Sequence, residues 1–190
     1  EVYLSPEEER KRILAKWSKP HRVELKELLK EYPDLIDKAC AVYEKEKDTI
    51  FLNHLRILPG VNELLIKLSK HYILAVATGN TADMIQNKIM PYFHIPSVFS
   101  QIISSHDIKN PDKMKPHPYM LEVIMKKQKV KPSETIFVGD ALTDVQTAIN
   151  ANVTPVVVLT GHLLRDEAEK LNTKWILQNV THLPKILNVI

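Results

Sequence analysis

The sequence predicts an α/β fold in which a doubly wound parallel sheet follows a small helical domain. From residue 58 onward, helical patterns alternate with short apolar runs, and strands that alternate with helices form parallel sheets. These runs lack the in–out alternation of a half-exposed strand, as is typical of strands covered on both faces. Residues 5–55 carry helical patterns alone. We therefore expect two domains, a helical one over residues 1–57 and an α/β one over residues 58–190.

The first domain begins with a clear helix start. Ser5 can cap the helix, and Pro6 occupies the first helical position, where a missing N–H leaves no hydrogen bond unmade. Apolar residues at helical spacing predict two more helices, near residues 22–31 and 35–51. A small bundle of this kind must pack its apolar side chains against another part of the protein.

The second domain is predicted to begin with a helix after Gly60 and to end with a helical turn. Its expected strands cover residues 72–78, 101–104, 135–138, 155–159 and 175–177. The helices expected between them cover residues 82–90, 118–128, 144–151 and 164–171. Because a helix separates each strand from the next, we expect the strands to run parallel.

The composition limits the classes of partner. The net charge of +3 comes from lysines and glutamates mixed along the helices, whereas nucleic-acid binding needs a denser basic cluster with aromatic residues. No apolar run is long enough to cross a bilayer. Since Cys40 is the only cysteine, no internal disulfide can form, and a cytoplasmic setting is expected. We expect neither nucleic acid nor membrane as a partner, and the sequence leaves the oligomeric state open.

Four short polar segments follow predicted strands, at residues 78–80, 104–106, 139–140 and 160–162. Doubly wound sheets bind ligands beyond the carboxyl ends of their strands. Three of the four glycines, Gly79, Gly139 and Gly161, lie in these segments, and glycine is typical where a ligand approaches the backbone closely. This edge of the sheet is therefore the predicted ligand site.

The most informative of these segments contains two carboxylates. An apolar strand runs into Gly139 and Asp140, and Asp144 opens the helix that follows. Proteins hold Mg²⁺ by one or two carboxylates together with water and phosphate oxygens, so we expect Asp140 to bind the metal and Asp144 to belong to the same site. Asp144 also fits a purely structural role, in which Thr143 caps the helix and the acidic side chain interacts with the helix dipole.

Two further segments contain residue types that suit a phosphate group. Thr78-Gly79-Asn80 offers a hydroxyl and backbone N–H groups before a helix, although it equally fits a strand end with a helix cap. Lys115 is followed by two prolines within three residues. A fixed ammonium there would stabilise charge on transferring phosphoryl oxygens, although a solvated loop lysine fits the same pattern.

Together these motifs resemble those of the haloacid dehalogenase superfamily of phosphatases, specifically its phosphoglycolate-phosphatase-like branch with a helical cap. Residues 77–80 are similar to the second motif of that family, residues 115–118 to the third and residues 138–144 to the fourth, in the same order. The resemblance implies that residues 1–57 are the helical cap domain and that residues 58–190 are the Rossmann-like α/β core.

The resemblance also implies the chemistry. It points to a Mg²⁺-dependent phosphatase that hydrolyses a small phosphomonoester, similar to phosphoglycolate, through an aspartyl-phosphate. Thr78 and Lys115 would be catalytic and would bind the phosphate together with Gly79 and Asn80, and Asp140 and Asp144 would hold Mg²⁺. Two alternatives remain open: a sugar-phosphate mutase on the same fold, and a catalytically inactive member that binds a phosphorylated ligand or a protein partner.

One motif of the family has no counterpart here. The first motif, Asp-x-Asp-Gly-Thr, supplies the nucleophile and the general acid/base at the end of the first strand, before the cap. In this sequence, helical patterns begin soon after Glu1. A strand with its loop would add roughly 10–20 residues, and without it the neighbouring strands have unpaired backbone groups. We therefore expect that Glu1 is not a natural start and that the chain as given is inactive.

Other classes of protein fit the sequence less well. A receiver domain has no helical insertion of this size, and a dinucleotide-binding protein needs a G-x-G-x-x-G after a strand. The eight histidines show no zinc-ligand spacing. His117 and His162 fall near the predicted ligand edge but fit turn or rim positions.

Overall fold

The computed structural model describes residues 3–15 and 21–187. The chain divides into two compact units, one that ends at Arg56 and one that begins at Ile57. In the described ranges, the first unit is helical and the second contains the strands. None of the helices in these ranges has the length and apolar character that crossing a bilayer requires.

The first unit is built from helices α1 (Pro6–Ala15), α2 (His21–Leu28) and α3 (Ile36–His54), with a 3-10 turn, Pro33–Leu35, before α3. The predicted cap of α1 is confirmed, because the Glu8 N–H donates to the Ser5 hydroxyl at 3.2 Å.

Arg12 ties α1 to the end of α2. Its Nε donates to Glu8 at 2.7 Å, its Nη1 donates to the Leu28 carbonyl at 3.1 Å, and its two terminal nitrogens pair with both carboxylate oxygens of Glu31. The hydrogen bond from Arg12 lowers the pKa of Glu31. A forked arginine–carboxylate pair fixes orientation as well as distance, so this contact sets how the two helices meet.

The second unit alternates helices with strands, as predicted. In chain order its elements are α4 (Val61–Ser69), β1 (Leu74–Thr78), α5 (Met90–Tyr92), β2 (Phe99–Ser104), α6 (Tyr119–Gln128), β3 (Ile136–Gly139), α7 (Leu142–Asn150), β4 (Thr154–Val158), α8 (Arg165–Glu169) and β5 (Trp175–Leu177). A π-helical segment, Met84–Ile89, leads into α5, and a 3-10 stretch, Val180–Lys185, follows β5. The helix predicted over residues 82–90 is thus π-helical through most of its length.

The strands run parallel, which confirms the predicted α/β class. β1 pairs with β2 so that Thr78 lies opposite Ser104. β3 pairs with β4, and β4 pairs with β5. The carboxyl ends of β1 and β2 therefore lie side by side.

Both faces of β4 are covered by helices. Val156 and Val158 belong to an apolar cluster with α4, whereas Val157 belongs to a cluster with α7 and α8. Burial of each such side chain stabilises the fold by about 1.5–3 kcal/mol. This two-sided cover explains why β4 is apolar at every position after Thr154.

β1 and β3 lie in different sheets. Among the described residues, β1 and β2 form one sheet and β3, β4 and β5 form another. The two sheets nevertheless share their surroundings, because Ala77 of β1 and Phe137 of β3 pack against the same apolar cluster of α6 and α7. β1 is half-buried along its whole length, whereas the last three residues of β4 are buried. Parallel neighbours are normally joined by backbone hydrogen bonds, so the predicted sheet is interrupted between β1 and β3.

Candidate active site

Lys115 is a buried cation with fixed partners. Its side chain lies on the loop after β2, and the residue is 7% exposed. The Nζ atom donates to the Ala77 carbonyl at 2.9 Å and to Asp144 Oδ1 at 2.7 Å, and it lies 5.0 Å from the centroid of the Phe137 ring. The alternative of a solvated loop lysine is therefore wrong, because the side chain is buried. A buried ammonium group has to be paired with an opposite charge, and Asp144 supplies that charge.

Asp144 organises the turn between β3 and α7. While its Oδ1 accepts from Lys115, its Oδ2 accepts the backbone N–H groups of Asp140 and Ala141, each at 3.2 Å. A Cβ on Gly139 would come within 2.3 Å of the Asp144 Cβ. The close approach of the Asp144 side chain to the backbone thus explains the glycine at position 139.

The predicted cap role of Thr143 is wrong. Helix α7 begins at Leu142 with Ala141 as its N-cap, so Thr143 lies inside the first turn. The carboxylate of Asp144 accepts the N-cap N–H instead. The structural role considered for Asp144 is therefore present, but through its own side chain.

Asp140 lies against Gly161, on the loop after β4. A Cβ on Gly161 would fall 1.6 Å from Oδ2 of Asp140, so only glycine leaves room for this carboxylate. The backbone N–H groups of His162 and Leu163 donate to the Asp140 carbonyl at 3.1 and 2.9 Å. Burial raises the pKa of Asp140, and the nearby charge of Asp144 raises it further. The ionised form of Asp140 is thus disfavoured until a cation compensates its charge.

The Thr78-Gly79-Asn80 segment forms a tight turn at the end of β1. The Asn80 N–H donates to the Thr78 hydroxyl oxygen at 3.0 Å. Because a hydroxyl has one proton to donate in addition to its acceptor sites, Thr78 can still donate to a ligand. Thr81 caps the helix that follows, since its hydroxyl accepts the Met84 N–H at 3.1 Å.

Lys115 connects the predicted site residues. Its Nζ atom contacts the carbonyl of Ala77, the residue directly before Thr78. The same atom contacts Asp144, which holds the turn that contains Asp140. Segments that are far apart in the sequence thus meet around one ammonium group. His117 takes a turn position, where its Nδ1 accepts the Tyr119 N–H at 3.1 Å.

One family model covers most of the chain. The model of the haloacid dehalogenase-like hydrolase family matches residues 3–158, which is most of the chain and includes Thr78, Lys115, Asp140 and Asp144. The chain belongs to the haloacid dehalogenase-like hydrolase family.

Curated relatives of this haloacid dehalogenase-like chain include two phosphatases of Escherichia coli (strain K12). D-glycero-beta-D-manno-heptose-1,7-bisphosphate 7-phosphatase is 38% identical over 77 residues, which are 40% of this chain and 40% of the relative. Phosphoglycolate phosphatase is 29% identical over 93 residues, covering 45% of this chain and 36% of the relative. The chain thus spans about two fifths of the length of the curated relatives that it matches.

Solved structures share the fold. A predicted phosphoglycolate phosphatase from Haemophilus somnus superposes with a TM-score of 0.74 at 22% identity, over 92% of this chain and 80% of that protein. A haloacid dehalogenase-like family protein from Streptococcus pneumoniae gives 0.72 at 17% identity, over 96% and 82%. At these identities the likeness establishes the fold of this haloacid dehalogenase-like chain.

The donor set of the haloacid dehalogenase-like site fits a hard cation such as Mg²⁺. Asp140 offers carboxylate oxygens in the space that Gly161 leaves open, and Mg²⁺ prefers such oxygens. Both oxygens of Asp144 already accept hydrogen bonds, so Asp140 is the better direct ligand. In the described ranges, no three His, Cys, Asp or Glu side chains form a metal cage, and Mg²⁺ commonly binds to one or two carboxylates with water and phosphate.

Sequence reasoning missed several residues that shape the haloacid dehalogenase-like site. Phe137, beside Lys115, and Ser104 and Ser105, beside the Thr78 turn, had no predicted role. The serines lie at the predicted ligand edge, and this position was the sequence signal that could have identified them. The contact between Gly161 and Asp140 depends on the path of two loops, and no local pattern reports it.

Proposed function

We propose that this haloacid dehalogenase-like protein is a Mg²⁺-dependent phosphatase that hydrolyses a small phosphomonoester. The observation that carries the proposal is Lys115, whose buried ammonium contacts both the strand end before Thr78 and the acidic turn of Asp140. A fixed cation beside a hydroxyl and carboxylates suits phosphoryl transfer, which depends on positioning and charge stabilisation. The names of the two phosphatase relatives support a small phosphorylated substrate.

The phosphate group would bind between the Thr78 turn and Lys115. The Thr78 hydroxyl accepts the Asn80 N–H and would donate its own proton to a phosphoryl oxygen. Gly79 and the exposed side chain of Asn80 would contact the same group from the turn. Lys115 would stabilise the negative charge that spreads over the phosphoryl oxygens in the transition state.

Asp140 would hold Mg²⁺, and Asp144 would keep the turn in place behind it. When bound, the cation neutralises charge on the phosphoryl oxygens. Asp144 holds the Asp140 N–H and the Lys115 ammonium with different oxygens. One carboxylate would thereby fix the distance between the metal ligand and the phosphate-binding lysine.

We infer that the nucleophile of the proposed reaction is an aspartate on a further strand, which would lie between β1 and β3. A parallel strand paired with both would join the two sheets, and its carboxyl end would lie near Lys115, which contacts Ala77 of β1 and Phe137 of β3. This aspartate would attack the phosphoryl group and release the alcohol, and water would then hydrolyse the aspartyl-phosphate.

The proposed activity is tested with the full-length product of the natural gene, in which the proposed strand would be present. We expect small phosphomonoesters to release inorganic phosphate only with Mg²⁺, and Lys115→Met to lower kcat about 100-fold or more. Lys113→Met is the matched control, because this lysine is exposed on the same loop, and it should leave kcat unchanged. Equal effects of both variants, or no phosphate release, would contradict the proposal. Isomerised sugar phosphate without free phosphate would indicate the mutase alternative.

The proposed strand is tested by hydrogen exchange. In the full-length gene product, amide protons of β1 and β3 should exchange more slowly than in the 190-residue chain, because the proposed strand would supply them with hydrogen-bond acceptors. Amide protons of β4, which is already paired on both sides, are the internal control. Unchanged exchange in β1 and β3 would exclude a strand between them.

A further inference from the structure

Two buried serines hold the turn that follows β1. Ser104 ends β2 and is 0% exposed, and Ser105 is 5% exposed. The Ser104 hydroxyl donates to the Asn80 carbonyl at 2.6 Å, and the Ser105 hydroxyl donates to the Gly79 carbonyl at 3.2 Å. The register of β1 and β2, which sets Thr78 opposite Ser104, brings the serines to this place.

These contacts fix the direction of the backbone N–H groups. In a planar trans peptide, the carbonyl and the next N–H point in opposite directions. With the Gly79 carbonyl held by Ser105, the Asn80 N–H points away from Ser105 and donates to Thr78 Oγ1. With the Asn80 carbonyl held by Ser104, the Thr81 N–H likewise points away from β2. The serines therefore determine which way the N–H groups of the turn point on the side away from β2.

A similar serine contact exists where no ligand is expected. At the other end of the same strand pair, the Ser100 hydroxyl donates to the Leu74 carbonyl at 2.9 Å. Leu74 belongs to β1, whereas Gly79 and Asn80 lie beyond its end at Thr78. The backbone pairing of β1 with β2 ends at Thr78, and beyond this point the side chains of the two buried serines hold the chain in its place. The residues that they hold are those proposed to bind phosphate.

We propose that Ser104 and Ser105 are positioning residues for phosphate binding. They hold the two carbonyls of the turn so that the Asn80 N–H orients the Thr78 hydroxyl and the Thr81 N–H faces a phosphate oxygen. This inference rests on the proposed phosphate site at Thr78, but the serines themselves touch neither substrate nor metal.

The test compares Ser104→Ala, Ser105→Ala and the control Ser100→Ala, each of which removes one serine-to-carbonyl hydrogen bond. Ser104→Ala also removes the acceptor of the His106 N–H, so Ser105→Ala is the cleaner of the two variants. Hydrogen exchange of the Asn80 and Thr81 amides is measured by NMR without ligand, and binding of inorganic phosphate is measured by titration in buffer with Mg²⁺. We expect Ser104→Ala and Ser105→Ala to speed the exchange of these amides and to weaken phosphate binding about tenfold, as the loss of one hydrogen bond predicts. Ser100→Ala should change neither quantity.

The two measurements separate this proposal from the proposed function. Phosphate binding that weakens equally in all three variants, or exchange at Asn80 and Thr81 that does not differ from the control, would overturn the positioning role. Failure of the unmodified protein to bind phosphate would instead count against the phosphate site, while the exchange comparison would still decide whether the serines hold the turn. If Ser104→Ala does not fold, Ser105→Ala decides the question, because its longer hydrogen bond is the easier one to lose.

Discussion

Lys115 and Asp144 form a buried ion pair in which each partner has additional contacts. The lysine also binds the Ala77 carbonyl, and the aspartate also binds two backbone N–H groups. Buried pairs of this kind add little net stability, although removal of one partner costs about 3–5 kcal/mol. Their value here is geometric, because the pair fixes the ends of two strands that belong to different sheets.

Gly161 should prove essential for the position of Asp140. We expect Gly161→Ala to lower Mg²⁺ affinity about 10–100-fold, because the new methyl group would occupy the space of the carboxylate. Calorimetric titration with Mg²⁺ measures this effect. Gly60→Ala is the control, since Gly60 has a φ of +81° with no atom near its missing Cβ, and its replacement should reduce stability without changing Mg²⁺ affinity. Unaltered Mg²⁺ binding in Gly161→Ala would refute the assignment.

Asp140 should also limit stability when no cation is present. Its pKa is raised in the folded protein, so folding disfavours its ionised form. The favourable contribution of the protonated side chain is present below the unfolded pKa and is lost as pH rises through the folded pKa. We therefore expect Asp140→Asn to melt at a higher temperature than the unmodified protein at neutral pH without divalent cations. The difference should vanish below about pH 4.

Thermal melting across this pH range, with Asp112→Asn as an exposed control, measures the effect of Asp140. A lower melting temperature of Asp140→Asn at neutral pH would show that the ionised carboxylate stabilises the fold, contrary to this prediction.

Among the elements, the pairing of α1 with α2 depends most on one side chain. Arg12 is buried and reaches Glu8, the Leu28 carbonyl and Glu31, so it connects two turns of α1 with the end of α2. Short helices are marginal on their own and need tertiary contacts. The charged contact thus supplements the limited apolar packing of α1.

Arg12→Met should loosen α1 selectively. The methionine keeps apolar bulk but removes the hydrogen bonds to Leu28 and Glu31, so amide protons of α1 should exchange faster while those of β4 keep their rates. Lys11→Met is the control, because Lys11 is exposed on the same helix. Equal exchange rates of α1 in the two variants would show that Arg12 does not connect the helices.

At the scale of the whole molecule, much of the fold follows from local sequence patterns. The strand over residues 175–177 is observed with the predicted bounds, and the remaining strands differ from prediction by one or two residues at their ends. These strands are short apolar runs between clear turn residues, so periodicity locates them. The π-helical hydrogen bonding of Met84–Ile89 was not predicted. Over so short a segment, the spacing of apolar residues in a π-helix does not differ from that in an α-helix.

The candidate site was also only partly predictable, because local sequence patterns do not report contacts between distant segments. Asp140, Thr78 and Lys115 are recognisable because each belongs to a short motif next to a strand or a proline. The contact of Lys115 with Phe137, and that of Gly161 with Asp140, arise only when separate loops pack together. Local sequence therefore identifies which residues belong to the site, while tertiary packing determines which of their atoms remain available.

The partners of Lys115 also make it a reporter of folding. Its ammonium contacts residues 38 and 29 positions away along the chain, so no local segment can reproduce its environment. Contacts of such long range form only after the intervening loops have closed. In an NMR refolding experiment, a slowly exchanging Lys115 ammonium signal should accordingly appear together with the last protected amides of β1 and β3. The appearance of this signal would then report when the second unit has finished folding.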